Sequence, residues 1–508
     1  MAPDGDRYDL VVVGGGTAGL VSTAVAAGLG ARVALVERDR LGGECLWTGC
    51  VPSKALVASA GAAALARSGA RFGLPPLEAG VDTGAVLESV REARARIQPH
   101  DDPGRFRAMG AEVIEGTPAR LLSPEEVEAG GRRLRARRII LATGSRPAVP
   151  PIEGIEEAGY ITHEGLFDRP RLPGSLVVLG GGAVGVELAQ AAVRLGVEVT
   201  LVEQEPRLLP REDADVSAVV AAALEEDGVR VLAGCRAVAA SGREAGGRRG
   251  LELAPAAAGP PSPGRLGAGA PAGGTDAAGR GAPGRVEAEE ILVAAGRRPN
   301  VEGLGLEAAG VEAGASGILV DGKLRTAQPR ILAAGDVIGG LLFTHVADHE
   351  ARTAVRNALF PFPSRVDYSG VPWAIFTDPE VGRVGPTEEE ARERWGDRIG
   401  VHRYDLSDLD RAITQRSVGG LVKLVTDPRG RLLAGHVVGP EAGTVISEVA
   451  LAVKRGLKVS ELSELVHPYP TMSEGVRRAA DAAMRARLTD PLRRWVDRWF
   501  RVARALGL

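Results

Sequence analysis

The stretch that decides the fold is Asp9-Leu10-Val11-Val12-Val13-Gly14-Gly15-Gly16-Thr17-Ala18-Gly19-Leu20. Asp9 to Val13 is an apolar run that reads as a strand, and Gly14 to Gly19 is a glycine-rich turn. Leu20 to Leu29 reads as a helix and Val33 to Glu37 as a second strand, which together make a βαβ unit. Gly14, Gly16 and Gly19 stand in G-x-G-x-x-G spacing. Glycines at those places let the turn close and the backbone approach a pyrophosphate at the helix N-terminus. Glu37 ends the second strand eighteen residues after Gly19, where a carboxylate accepts ribose hydroxyls. A bare G-x-G-x-x-G says little. Preceded by a strand, followed by a helix and closed by an acid, it reads as a dinucleotide site.

The pattern returns further along. Leu176 to Leu179 is a strand, Gly180, Gly182 and Gly185 form the turn, Val186 to Leu195 is a helix, and Val197 to Glu203 is a strand. The nucleotide-binding unit is thus duplicated within the chain. An acid at the place of Glu203 suits an unphosphorylated ribose and repels a 2′-phosphate, which favours NAD(H) over NADP(H). Arg207, four residues on, pulls the other way.

Length and composition bound what these units belong to. A chain of 508 residues is too long for one ordinary domain and points to about three. Hydrophobic residues at 44% and charged residues at 25% fit a globular protein, and a net charge of -3 offers nothing to nucleic acid. No uninterrupted run of 18 or more apolar residues is present, so no transmembrane span is expected. The polar residues before the first strand leave no room for a signal peptide. Three cysteines exclude a disulfide scaffold and favour a reducing, cytoplasmic setting.

Residues 254–285 differ from the rest: 25 of these 32 are Gly, Ala or Pro. Such a segment buries too little apolar surface to offset its ordering entropy. It reads as a disordered insertion in a surface loop of the second nucleotide domain. From Val371 the pattern becomes α+β, with strands at Trp373–Thr377, Leu421–Thr426 and Leu432–Val438 and helices at Thr444–Arg455 and Ser473–Arg487. Thr489-Asp490-Pro491 then open a last helix, with Leu492, Trp495, Val496, Trp499, Ala503 and Leu506 on one face and five arginines on the other. A helix of that length is marginal alone in water. Docking on its own dimer, near the interface domain, is the expected cover. An anionic membrane or a partner protein are the alternatives.

The third motif is Gly42-Gly43-Glu44-Cys45-Leu46-Trp47-Thr48-Gly49-Cys50-Val51-Pro52-Ser53-Lys54. Two cysteines four residues apart can bridge one bend of chain. Zinc usually takes four ligands and no other Cys or His cluster accompanies them, so no metal site is expected. Buried thiols remain possible, but a redox pair beside a bound nucleotide accounts better for the position. Cys235 reads as a small core hydrophobe.

Residues 42–54 closely resemble the redox segment of the class I pyridine nucleotide–disulfide oxidoreductases, among them dihydrolipoamide dehydrogenase, glutathione reductase and mercuric reductase. The resemblance extends to Ala142-Thr143-Gly144-Ser145-Arg146-Pro147, Gly296-Arg297-Arg298-Pro299-Asn300, Ala333-Ala334-Gly335-Asp336 and Phe376-Thr377-Asp378-Pro379-Glu380. It implies an α/β chain with two Rossmann-like domains and an α+β dimerisation domain. The expected divisions are residues 1–153 with 303–365 for FAD, 154–302 for NAD(P), 366–488 for the dimer interface and 489–508 for the terminal helix. Thr143, Gly144, Gly296 and Asp336 would help hold the nucleotides, Asp336 on the ribityl chain of FAD. Cys50 would be the flavin-proximal thiolate and Cys45 the thiol that attacks substrate. Lys54 would stand near the flavin, paired with Glu187. Only five of the 62 basic residues are lysine, so a lysine kept here fits a site too tight for a guanidinium.

The acceptor end departs from the family pattern. In His467-Pro468-Tyr469-Pro470-Thr471-Met472-Ser473-Glu474, Tyr469 stands where dihydrolipoamide dehydrogenase and glutathione reductase place the partner subunit's catalytic histidine. Glu474 still matches the glutamate that orients that histidine. A phenol of ordinary pKa, about 10, is a poor base at neutral pH. Tyrosine here makes the site mercuric-reductase-like, yet no cysteine follows Cys235 to hand over a metal. His467 is the other candidate base, or a structural histidine. The expectation is a homodimer that passes electrons from NAD(P)H through FAD and Cys45–Cys50 to a small disulfide, a quinone or a metal ion. A dihydrolipoamide dehydrogenase of a 2-oxo acid complex and a non-enzymatic redox-sensing module are the alternatives.

Overall fold

The computed structural model describes residues 7–76, 80–243, 247–256, 284–486 and 490–507. Leu10, Val11 and Val12 are wholly buried, as a central parallel strand requires when both of its faces are covered. That strand, Arg7–Val13, lies between Val33–Val36 and Arg132–Leu141, parallel to both. Glu112–Ile114 extends one side. On the other, Arg132–Leu141 pairs along its second half with Ile331–Ala333. Residues nearly two hundred positions apart therefore share one sheet. The first half of Arg132–Leu141 instead turns antiparallel, onto Glu126–Ala129 and then Ala119–Ser123.

The second unit repeats the design, with parallel strands in the order Arg230–Ala233, Glu198–Glu203, Ser175–Leu179 and Glu290–Val293. An antiparallel trio, Cys235–Ser241, Arg249–Pro255 and Arg285–Ala288, flanks it. Cys235 is fully buried there, as a small core hydrophobe should be. The Gly/Ala/Pro insertion leaves from the hairpin between the last two of these strands, and its residues 257–283 lie outside the described residues. The third unit is a five-stranded antiparallel sheet, ordered Pro372–Ile375, Glu380–Val384, Leu432–Gly439, Leu421–Thr426, Gly400–Asp405. Its first strand stops short of the Trp373–Thr377 read from sequence, because the Phe376 N–H is taken by the Glu187 carboxylate rather than by a strand partner.

Around the sheets run helices α1 (Thr17–Gly28), α2 (Gly43–Trp47), α3 (Cys50–Arg67), α4 (Ala183–Arg194), α5 (Thr344–Leu359), α6 (Ala442–Arg455), α7 (Glu474–Ala486) and α8 (Asp490–Ala505). Residues 43–67 are the one stretch, among the described residues, long and apolar enough by length and composition to cross a membrane, where the sequence pointed to none. The stretch is instead interrupted between α2 and α3, carries Cys45, Cys50 and Lys54, and buries Leu56 and Ala60 in a core shared with the second nucleotide unit.

Candidate active site

Both glycine turns are built to bring backbone close to a ligand. Gly14 has φ +108°, and a Cβ there would stand 2.3 Å from the Ala142 carbonyl oxygen. A Cβ on Gly19 would stand 1.8 Å from the Gly14 oxygen, so that crossing tolerates only glycine. Gly16 caps α1 with no side-chain hydrogen bond, which leaves the first-turn N–H groups for a phosphate. Glu37 accepts from Gly15 N at 2.5 Å and Asp39 N at 2.8 Å, which fixes its carboxylate at the turn. The second turn matches: a Cβ on Gly185 would stand 1.8 Å from the Gly180 oxygen, and Glu203 accepts from Gly181 N at 2.6 Å and Glu205 N at 2.7 Å. A Cβ on Gly182, which caps α4, would meet nothing within 4 Å, the clearance a pyrophosphate needs. Burial raises the Glu203 carboxyl against these backbone bonds. Arg207 donates to the Pro210 and Glu212 carbonyls at 3.3 and 3.2 Å.

The cysteine segment is seated on the first turn. Gly42 N donates to Gly15 O at 2.9 Å, and a Cβ on Gly43 would be 2.6 Å from Gly16 Cα. That close approach carries Cys45, on α2, and Cys50, the first residue of α3, to the nucleotide cradle. Both are free thiols here. The Thr344 hydroxyl at the start of α5 lies 3.2 Å from Cys50 Sγ. Cys50 is lowered to about 6 by the hydrogen bond from Cys45, the bond from Thr344 and the charge of Lys54, against burial and Glu44. A helix N-terminus favours the same ionisation. Cys45 moves the other way, raised by its bond to Cys50, by burial and by the Cys50 charge. The reduced pair thus holds a single negative charge, on Cys50, and one proton, on Cys45.

Lys54 lies one helical turn after Cys50 on the same face of α3. Its Nζ is 2.7 Å from Glu187 Oε2 and 4.7 Å from the centre of the Phe376 ring. Glu187 is buried, and its other oxygen accepts from Phe376 N at 2.9 Å. One ion pair so joins all three units beside the cysteines.

A second network escaped the sequence reading. Glu44, between Gly43 and Cys45, receives both terminal nitrogens of Arg297, Nη1 at 2.6 Å, and lies 2.7 Å from His163 Nε2. Burial works to raise its carboxyl, but the His163 and Arg297 bonds prevail and hold it below the ordinary range. Arg297 Nε donates to Ser145 Oγ at 2.8 Å, and Ser145 donates to Asp336 Oδ2 at 2.6 Å. Asp336 is raised by burial. Thr143 Oγ1 donates to the Asn300 carbonyl at 2.7 Å, and Asn300 N to the Gly144 carbonyl at 2.9 Å. Gly296 accepts from Ala148 N, so residues 142–147 and 296–300 form one crossing of chain between the nucleotide units. Glu44 and Arg297 stand inside motifs quoted from the sequence, and their adjacency to the motif glycines was the available signal. Thr344 lies in no such motif.

The acceptor-end residues do not meet the cysteines within one chain. Tyr469 is 69% exposed, and its hydroxyl donates to Asp410 Oδ2 at 2.7 Å, a bond that raises the phenol further. His467 has both ring nitrogens engaged, Nδ1 3.2 Å from the Leu465 carbonyl and Nε2 2.9 Å from Glu448 Oε1. Glu474 is buried at the start of α7 and accepts from Arg477 and Arg478 at 3.1 and 2.8 Å. Among the described residues no three His, Cys, Asp or Glu side chains gather as a metal site.

Comparison with known proteins agrees with this geometry. Residues 8–351 match the family model described as pyridine nucleotide-disulphide oxidoreductase, and residues 371–480 match the dimerisation domain of that family. Mercuric reductase of Bacillus cereus is 33% identical over 93% of this chain and 71% of its own length. Dihydrolipoyl dehydrogenase of Thermus scotoductus is 36% identical over 94% of this chain and 97% of its own. Among solved structures, a Cu(II) complex of the HOCl-induced flavoprotein disulfide reductase RclA from Escherichia coli superposes with a TM-score of 0.79 at 26% identity, covering 94% of this chain and 99% of that one.

Proposed function

The chain belongs to the pyridine nucleotide-disulphide oxidoreductase family, and from that premise we propose that it is an NADH-preferring, mercuric-reductase-like enzyme that delivers electrons through Cys45–Cys50 to a small disulfide, a quinone or a soft metal ion. The family is FAD-dependent, and the uncapped α1 N-terminus, the glycine crossing, Glu37 and Asp336 suit that nucleotide. Bound FAD supplies the two-electron relay between the nicotinamide and the cysteine pair. Everything else is the work of this chain's residues.

The observation that carries the reading is the setting of Cys50, which opens α3 beside the Thr344 hydroxyl at 3.2 Å with Lys54 one turn on, while Cys45 stands on the preceding α2. Reducing a Cys45–Cys50 disulfide takes two electrons and one proton, and leaves Cys45 as thiol and Cys50 as thiolate. Lys54 and Thr344 stabilise that product. Cys45 must then lose its proton to act on an acceptor. Tyr469 donates its own hydrogen bond to Asp410, and His467 is tied to Glu448, so neither is poised as a base. A soft metal ion displaces a thiol proton as it binds, so such an acceptor depends least on a base. Dihydrolipoamide needs its own thiol deprotonated and depends on a base most. The second reading, dihydrolipoyl dehydrogenase, is favoured by the 36% identity to the Thermus scotoductus enzyme.

The NADH preference is supported by Glu203, fixed by two backbone N–H groups where a 2′-phosphate would sit, and by Arg207, committed to two carbonyls. The test is a steady-state screen of NADH and NADPH against disulfides, quinones and Hg(II), with dihydrolipoamide and NAD+ run in reverse. NADH should give at least a tenfold higher kcat/KM, about 1.4 kcal/mol, and dihydrolipoamide turnover should be the weakest. Robust NAD+ reduction by dihydrolipoamide would instead establish the second reading.

A further inference from the structure

We propose that α8 is a membrane-surface helix, and that it holds the enzyme reversibly on an anionic lipid bilayer. The helix spans Asp490–Ala505, about 24 Å at 1.5 Å per residue, and begins four residues after α7 ends, beyond the family match that stops at residue 480. At 100° per residue its apolar side chains occupy an arc of about 120°. Trp495 and Trp499 stand near the middle of that arc, with Val496, Val502, Ala503 and Leu506 around them and Phe500 at its edge. The opposite arc carries Arg493, Arg494, Arg498, Arg501 and Arg504 with one acid, Asp497.

Among the described residues, most of the stripe is left exposed. Trp495, Trp499 and Leu506 are 63%, 53% and 69% exposed. Among the described residues of α8, the side-chain hydrogen bonds stay inside the helix, Arg501 to the Asp497 carbonyl and Arg504 to the Phe500 carbonyl. Within one chain the described residues leave the stripe exposed, and the docking on its own dimer expected from the sequence is the alternative cover. A bare stripe of this width is unfavourable in water and needs a cover.

Charge and side-chain type select the cover. With Asp490 and Asp497, the helix holds five positive and two negative charges, a net of +3 in a chain of net -3, so the remainder carries -6. The body is repelled by an anionic surface and the helix alone is attracted. Tryptophan at the centre of the stripe, with arginines on both flanks, is the composition that settles at the boundary of headgroups and acyl chains. A coiled-coil seam would call for aliphatic residues at heptad positions and charges of both signs beside them. One such helix binds weakly, but the dimerisation domain brings two to each particle, and paired tethers reinforce each other.

The experiment is co-sedimentation of the full-length holoenzyme with phosphatidylglycerol vesicles and, separately, phosphatidylcholine vesicles. Its companions are a chain lacking residues 490–508, an R494E/R498E variant and a W495E/W499E variant. The full chain should pellet with phosphatidylglycerol, bind phosphatidylcholine at least tenfold less and be released by 0.5 M salt. Each arginine removed should weaken binding about fivefold. The deletion and the tryptophan variant should stay in solution with unchanged melting temperature, dimer content and NADH turnover. Three results would overturn the proposal. One is failure of the full chain to bind phosphatidylglycerol, above all if the deletion splits or destabilises the dimer. The others are equal binding to both lipids, and binding that survives the deletion.

Discussion

Cys50 is held as a thiolate by the Cys45 thiol, the Thr344 hydroxyl and the Lys54 ammonium together. The sign follows directly: with its pKa at about 6, Cys50 is ionised above that pH and protonated below it. Iodoacetamide reactivity or thiolate absorbance of the reduced protein should rise through a midpoint near 6. Lys54→Met removes the one cation among these partners and should move that midpoint up by about one pH unit. An unmoved midpoint would show that Lys54 serves the domain contact through Glu187 and not the thiol. At the acceptor end, Tyr469 only donates to Asp410 and Glu474, nearby in sequence, is already buried, so Tyr469→His supplies the imidazole that the family pattern places there. The variant should gain at least tenfold in dihydrolipoamide turnover, since a positioned base contributes about a hundredfold or more. Unchanged turnover would mean that the absent histidine is not what limits that reaction.

At the scale of elements, the two strand–turn–helix units were legible because their determinants are local. Gly14, Gly16 and Gly19, and the matching Gly180, Gly182 and Gly185, declare a turn whose geometry depends on the missing Cβ atoms, and at the last glycine of each a Cβ would stand 1.8 Å from a backbone oxygen. Gly19→Ala should therefore abolish flavin binding and leave a colourless protein, whereas Gly28→Ala, where a Cβ meets nothing within 4 Å, should keep its flavin. Flavin bound per chain, read by absorbance, decides this; a yellow Gly19→Ala protein would contradict the crossing argument. The redox pair was legible for the same reason, lying within six residues of chain. The network around it was not. Arg297 reaches Glu44 across 253 residues and Thr344 reaches Cys50 across 294, so only the folded chain brings them together. Helix and strand ends moved by a few residues where a side chain intervened, as Glu187 does at Phe376.

Across the whole molecule, the second nucleotide unit is pinned to the antiparallel unit by buried charge. Lys423 Nζ lies 2.7 Å from Asp213 and 2.8 Å from Asp215, Arg383 lies 3.5 Å from Glu212, and His436 is wholly buried 3.5 Å from Asp213. Burial, with Arg383 and Lys423 nearby, lowers His436 to about 4 from 6.5, against the pull of Asp213. The unfolded chain takes up that proton at the higher pH, so this site loses stability as pH falls from about 6.5 to 4. The melting temperature of His436→Gln should consequently fall less than that of the parent over the same window; parallel curves would exclude His436 as a source of acid sensitivity. These pairings, like the return of residues 331–333 to the first sheet, were not visible in any single segment. The proposed function requires that electrons reach Cys45–Cys50. Its most direct test is anaerobic titration of the purified flavoprotein with NADH, following long-wavelength absorbance in the parent and in Cys50→Ser. The parent should gain a thiolate-to-flavin charge-transfer band at about two electrons per chain, and Cys50→Ser should gain none. A parent without the band, or a variant that keeps it, would contradict the proposed function.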